Sequence, residues 1–220
     1  HRCISLSIMF LVFLSVTACV TSASLREVPA NAKPNPTATP APVQFTEDEL
    51  AHDSRLEWWY HSGHLVSESG REFGFHFVVF KAADDLGEQN FVAQLGLLDV
   101  ETGEHFDVSR AEAGIRMLDT NSTSVAMSLG IAGWDYGVSS NPGSQSFSAK
   151  TEYVSLSLQL EATTPVMLHN EIGWLPTETG ATYYYSWPRQ QAIGELTLNG
   201  EILAVTGSAW FDHQWGDFFV

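Results

Sequence analysis

Near the C-terminal end of the 220-residue chain stands Gly207-Ser208-Ala209-Trp210-Phe211-Asp212-His213-Gln214-Trp215-Gly216, which sets one carboxylic acid between two indoles. On an extended segment side chains alternate, so Trp210, Asp212 and Gln214 share one face while Phe211, His213 and Trp215 share the other. Asp212 and His213 therefore point apart and are not an acid–base dyad. Where the Trp210 face lines a cavity, a dry environment favours the neutral, proton-donating form of a carboxylic acid. Indole and phenol faces nearby would stabilise a developing carbocation. The alternative is that the aromatics are core and Asp212 ties a turn or backbone amides at a barrel end.

Further aromatics could complete such a wall. Trp58, Trp59 and Tyr60 fall in one predicted strand, Tyr183, Tyr184, Tyr185 and Trp187 in another, and Trp215 closes the Asp212 segment. His76 is either a core histidine with one partner or a catalytic group. His169, in a predicted loop, is a rim candidate. His52, Asp53, His61 and His64 lie close in sequence. The odd spacing of His61 and His64 puts them on opposite strand faces, so no metal is expected. The glycine-rich nucleotide loops, the Gly-x-Ser-x-Gly elbow and His-Glu-x-x-His are missing, and no cofactor is expected.

The elements that must position these residues read as strands. Glu57–Val66 is aromatic-rich, and Phe73–Phe80 is apolar on both faces, as for a strand covered on two sides, with His76 the polar exception. Phe91–Val100 is apolar, and Glu101-Thr102-Gly103-Glu104 suits a hairpin loop. From Tyr153 to Leu160, Val154, Leu156, Leu158 and Leu160 alternate with Ser155, Ser157 and Gln159, which predicts one face in core and one in solvent. Asn199-Gly200 is a type I′ hairpin signal. Thr46-Glu47-Asp48-Glu49 has capping-box spacing for one helical turn. With 17 glycines and no long amphipathic helix, the chain predicts an all-β antiparallel sandwich or barrel.

The first 45 residues read differently. Arg2 precedes an apolar run, Ile4–Val16, with the length of a signal-peptide core, and residues 1–18 form the expected leader. Residues 19–44 hold five of the nine prolines and little apolar bulk, which predicts a disordered tether. The folded domain is expected over residues 45–220. The chain carries 10 Lys+Arg against 26 Asp+Glu, a net charge of −16. Arg2 is the only charged residue in the leader, so its loss brings the balance near −17. Basic residues are scattered singly, which argues against a nucleic-acid partner. Cys19 would be the one remaining thiol, so no internal disulfide is available to an exported domain.

Val16-Thr17-Ala18-Cys19 resembles a bacterial lipobox, which implies lipidation at Cys19 and anchoring to the outer face of a bacterial membrane. Glu57-Trp58-Trp59-Tyr60-His61-Ser62-Gly63-His64-Leu65, the Phe73–Phe80 strand, Leu168-His169, Tyr183-Tyr184-Tyr185-Ser186 and Gly207–Gly216 together resemble the lipocalin-like family of hydroxyneurosporene synthases, the carotenoid 1,2-hydratases, and related secreted proteins encoded beside ABC exporters. The resemblance implies an antiparallel lipocalin-like β-barrel or sandwich, the first of two such domains, with a second expected after Val220. It implies Asp212 as proton donor to an alkene. The leading expectation is a lipid-anchored protein binding an apolar small molecule or lipid in a cavity lined by Trp58 or Trp59, Tyr60, His76, His169, Tyr183–Tyr185, Trp210, Gln214 and Trp215. A hydratase or isomerase and an accessory component of an ABC transporter are the alternatives.

Overall fold

The computed structural model describes residues 40–84, 87–113, 116–117 and 125–218. The expected leader, Cys19 and the tether up to residue 39 lie outside them. Apart from one 3-10 turn, Glu47–Glu49, the regular structure of the described residues is all strand. In order the strands are β1 (Leu56–Ser67), β2 (Glu72–Ala83), β3 (Gln89–Asp99), β4 (His105–Ala113), β5 (Arg116–Met117), β6 (Val125–Ile131), β7 (Trp134–Ser139), β8 (Ser144–Lys150), β9 (Val154–Ala162), β10 (Met167–Leu168), β11 (Trp174–Thr177), β12 (Gly180–Leu198) and β13 (Glu201–Asp217).

Their pairing runs β4-β3-β2-β1-β13-β12-β9-β8-β7-β6-β5, antiparallel throughout, and β10 and β11 attach to the free edge of the first half of β12. The sheet curls into a nearly closed barrel. Across the seam the Ala132 amide at the β6–β7 turn donates to the Glu112 carboxylate of β4 at 2.5 Å, and the Arg110 guanidinium lies 5.5 Å over the Trp134 ring. Such closure leaves few unpaired strand edges exposed.

Alternation decides which side of each strand is core. Val154, Leu156, Leu158 and Leu160 are all buried, as their period of two predicts. Asn199 (φ 50°) and Gly200 (φ 88°) make the hairpin between β12 and β13, which are long strands of 19 and 17 residues. The β3–β4 turn holds Gly103 at φ 73°. Thr46 makes no capping bond; instead the Gln44 amide donates to the Asp48 carboxylate at 2.6 Å, and Glu49 turns into the barrel. Val43 is packed too, its amide donating to the Ile172 carbonyl at 3.1 Å.

Strand β2 meets the two-sided burial expected of it only in part. Phe73, Phe75, Phe77 and Val79 fill the interior, and on the outer face Val78 is buried whereas Phe80 is 40% exposed. On that face the Trp58 ring lies 6.4 Å from the Phe80 ring. Inside, Phe77 and Phe147 stack in parallel at 4.2 Å. Phe77→Ala should therefore cost about 3–5 kcal/mol of unfolding free energy in urea, and Phe80→Ala less than about 1. Equal costs would contradict this division of faces.

Candidate functional site

Asp212 lies on the outer face of β13, between Ser186 of β12 and Tyr60 of β1 in the register. Its Oδ1 accepts the Ser186 hydroxyl at 2.5 Å and the Trp210 indole N–H at 2.7 Å. The Tyr184 hydroxyl also bonds the carboxyl group, and burial together with the Asp212 charge pushes the Tyr184 pKa up to about 12. His169, just after β10, brings Nε2 to 3.0 Å from the Ser186 hydroxyl and stacks on the Tyr184 ring at 3.7 Å. The Ser186 proton is directed at Asp212, so His169 must present Nε2–H to the Ser186 oxygen. A continuous path results: His169 donates to Ser186, and Ser186 to Asp212. Ser186 is fully buried, which keeps water from competing for its hydroxyl.

The opposite face of the same strands holds a buried ionic cluster. Glu57 Oε1 accepts from His213 Nε2 at 2.9 Å and meets His52 Nδ1 at 2.7 Å; its Oε2 pairs with Lys81 Nζ at 2.6 Å. Lys81 also donates to the His52 carbonyl, and the His52 amide donates to Glu57. Burial alone would push the Glu57 pKa up, but the His213 and His52 bonds bring it down to about 2. Burial likewise opposes charging of His52, yet its bonds to Asp48 and Glu57 raise its pKa. His213 goes the other way, because full burial outweighs Glu57 and lowers it. His213 Nδ1 bonds the Tyr185 hydroxyl at 3.2 Å. His52, Glu57 and His213 offer donor atoms within 4.8 Å of one another, a His2Glu set able to take a metal ion. In this geometry the Lys81 ammonium supplies the positive charge.

A second polar chain crosses the interior. Glu49 Oε1 accepts the Gly143 amide at 2.8 Å, the Gln145 amide at 3.2 Å and the Trp187 indole at 3.3 Å. Gln145 in turn accepts from Gln190, whose oxygen meets His61 Nδ1 at 3.2 Å. Burial raises the Glu49 pKa to about 7, against the pull of those donors, and lowers that of His61 to about 3.

The residues expected to line one cavity are divided between the two faces. Trp59, Tyr185 and Trp215 are buried inside, whereas Trp58, Tyr60, His76, Tyr184, Trp210, Asp212 and Gln214 are on the outer face. Tyr183 stacks on Trp215 at 5.3 Å and joins it, with His52 and Trp174, in a cleft of about 410 Å³. His61 is buried and His64 exposed, on opposite faces as their spacing predicts. Sequence reasoning missed Glu57, Lys81 and Glu49. The available signal was parity: Glu57 shares its side of β1 with Trp59 and His61, and Lys81 shares its side of β2 with Phe77 and Val79.

A family model described as AttH-like matches residues 36–220. Among solved structures, a protein from Nitrosomonas europaea assigned as AttH is 26% identical with a TM-score of 0.70, over 83% of this chain and 58% of its own. Kievitone hydratase from Nectria haematococca is 18% identical with a TM-score of 0.60, over 80% of this chain and 52% of its own, a likeness of fold. The chain thus spans little more than half the length of either. No curated protein matches it significantly in sequence.

The interior acid has a measurable signature. An unfolded Glu49 loses its proton near the ordinary 4.5, the folded one near 7, so folding stability should fall as pH rises from about 4.5 to about 7. His61, folded near 3 against 6.5, and Glu57, folded near 2 against 4.5, act in the opposite sense, losing stability as pH falls. The Glu49 contribution is therefore read as wild type minus Glu49→Gln in urea titrations from pH 4.5 to 8. That difference should decline by at most about 3 kcal/mol and flatten above pH 7. A rising difference would contradict the assignment.

Proposed function

Since the chain belongs to the AttH-like family, we propose that it takes an apolar isoprenoid-like molecule or lipid on its outer face and acts there as a hydratase or isomerase with Asp212 as general acid. The observation that carries this reading is the Asp212 carboxyl group, oriented by Ser186 and Trp210 beside the exposed Trp210 indole. The presence of this fold in a protein named as a hydratase is consistent with it, as is the sequence resemblance to hydroxyneurosporene synthases. Lipidation of Cys19 would hold the domain at a membrane surface, where apolar substrates partition.

The step follows from the geometry. The reading places the transferable proton on Oδ2, the oxygen that Ser186 and Trp210 do not hold. That O–H bond breaks as the alkene π pair forms a C–H bond, leaving a tertiary cation and a carboxylate. The faces of Trp210, Tyr184 and Tyr60 offer π density to such a cation. Water adds to the cation, and its surplus proton returns to the carboxylate, so hydration balances as H and OH across the double bond. Loss of a neighbouring proton instead gives the isomer. His169 through Ser186 holds the Oδ1 side of the carboxyl group in place.

Incubation with an acyclic polyene bearing a terminal isoprene unit, in heavy-oxygen water, should give a labelled tertiary alcohol. Asp212→Asn should lower that turnover at least 100-fold, while tryptophan fluorescence still reports polyene binding. Binding without any product in the wild type would remove the catalytic reading and leave a binding protein.

A further inference from the structure

The outer face carries a groove of about 560 Å³ beside the Asp212 site. It begins at Arg189, crosses β13, β1, β2 and β3, and reaches His105 at the start of β4. Five strand spacings of ~4.8 Å make the crossing roughly 24 Å long. Two glycines shape its floor. Gly74 has no side chain, and a Cβ there would touch only Leu98, so the space above it is open. At Gly96 any Cβ would strike the His76 ring, which lies flat across β3 for that reason. Trp210 and Leu98, both substantially exposed, supply apolar wall.

The charges along this trough run against those of the chain. Among the described residues no Asp or Glu lines it, although the net charge of the chain is −16. Arg189 and three of the eight histidines, His64, His76 and His105, do. Arg189 is exposed at the bulge where the β12–β13 register shifts between Trp187 and Gln190. Among the described residues no carboxylate pairs with its guanidinium. A guanidinium is permanently charged and its planar fork matches a carboxylate.

We infer that this groove binds an amphipathic monoanion, a carboxylate on an apolar chain, with the head at Arg189 and the chain crossing the glycine floor towards Leu98. The inference rests on the outer face being the ligand-binding face, and it names the chemistry of the ligand. Placed this way, the part of the chain next to the head passes Trp210, whose indole bonds Asp212.

Titration of tryptophan fluorescence with decanoate and with decanol tests it. Decanoate should bind at least tenfold more tightly than decanol. Arg189→Gln should erase that preference without weakening decanol. Gly74→Leu, whose Cβ has room, should fill the trough and weaken both. Equal affinities in the wild type, or a preference that survives Arg189→Gln, would overturn the anionic ligand and leave outer-face binding of neutral apolar molecules standing. If neither ligand binds, both readings fall.

Discussion

The carboxylate of Glu57 is fully buried, and the rest of the barrel is arranged around keeping it charged. An ionised acid stranded in a dry interior is too costly to persist unpaired. Lys81 from β2, His213 from β13 and His52 from the segment before β1 converge on it, so one group ties three neighbouring parts of the chain. The tie also fixes register. A one-residue slip of β13 against β1 would turn His213 outward and bring Asp212 into the interior beside Glu57. Two carboxyl groups would then share one dry site, which like-charge repulsion makes costly.

Around that cluster the interior is packed with buried side chains. Trp59, Tyr136, Tyr185, Phe77, Phe147 and Phe211 occupy it together with the Glu49–Gln145–Gln190–His61 chain. Ring pairs such as Trp59 with His213 at 4.9 Å and His61 with Phe211 at 4.6 Å show how closely the two kinds of group interleave. Aromatic bulk and polar bonds in the same layer leave the outer face as the surface where apolar side chains meet solvent. Phe80, Leu98, Trp210 and Val66 are all on that side.

Much of the fold was legible because strand chemistry has a period of two. The alternation in β9, the Asn199-Gly200 turn and the opposite facing of His61 and His64 were all readable from residue spacing. The division of Trp210, Asp212 and Gln214 from Phe211, His213 and Trp215 was readable too. Which of those two faces points inward was not, since both carry aromatics and both carry a group able to move a proton. Parity along β1 would have helped: Glu57 shares a side with Trp59, His61 and Leu65, all fully buried. An acid on such a side requires partners from elsewhere in the chain. Pairing of β1 with both β2 and β13 supplies them, and pairings of that sequence separation are beyond local pattern.

β13 thus holds two titratable groups one residue apart in separate surroundings. His213 faces in, bonded to Glu57 and Tyr185, where burial disfavours its charged form. Asp212 faces out, next to a groove, with His169 and Ser186 behind it. The strand backbone between them keeps the two networks from sharing hydrogen-bond partners. Changes at Asp212 therefore remove no contact from the Glu57 cluster, and the outer face is free to vary its chemistry on an unchanged core. That freedom suits a fold shared between this chain and proteins only 18% to 26% identical to it.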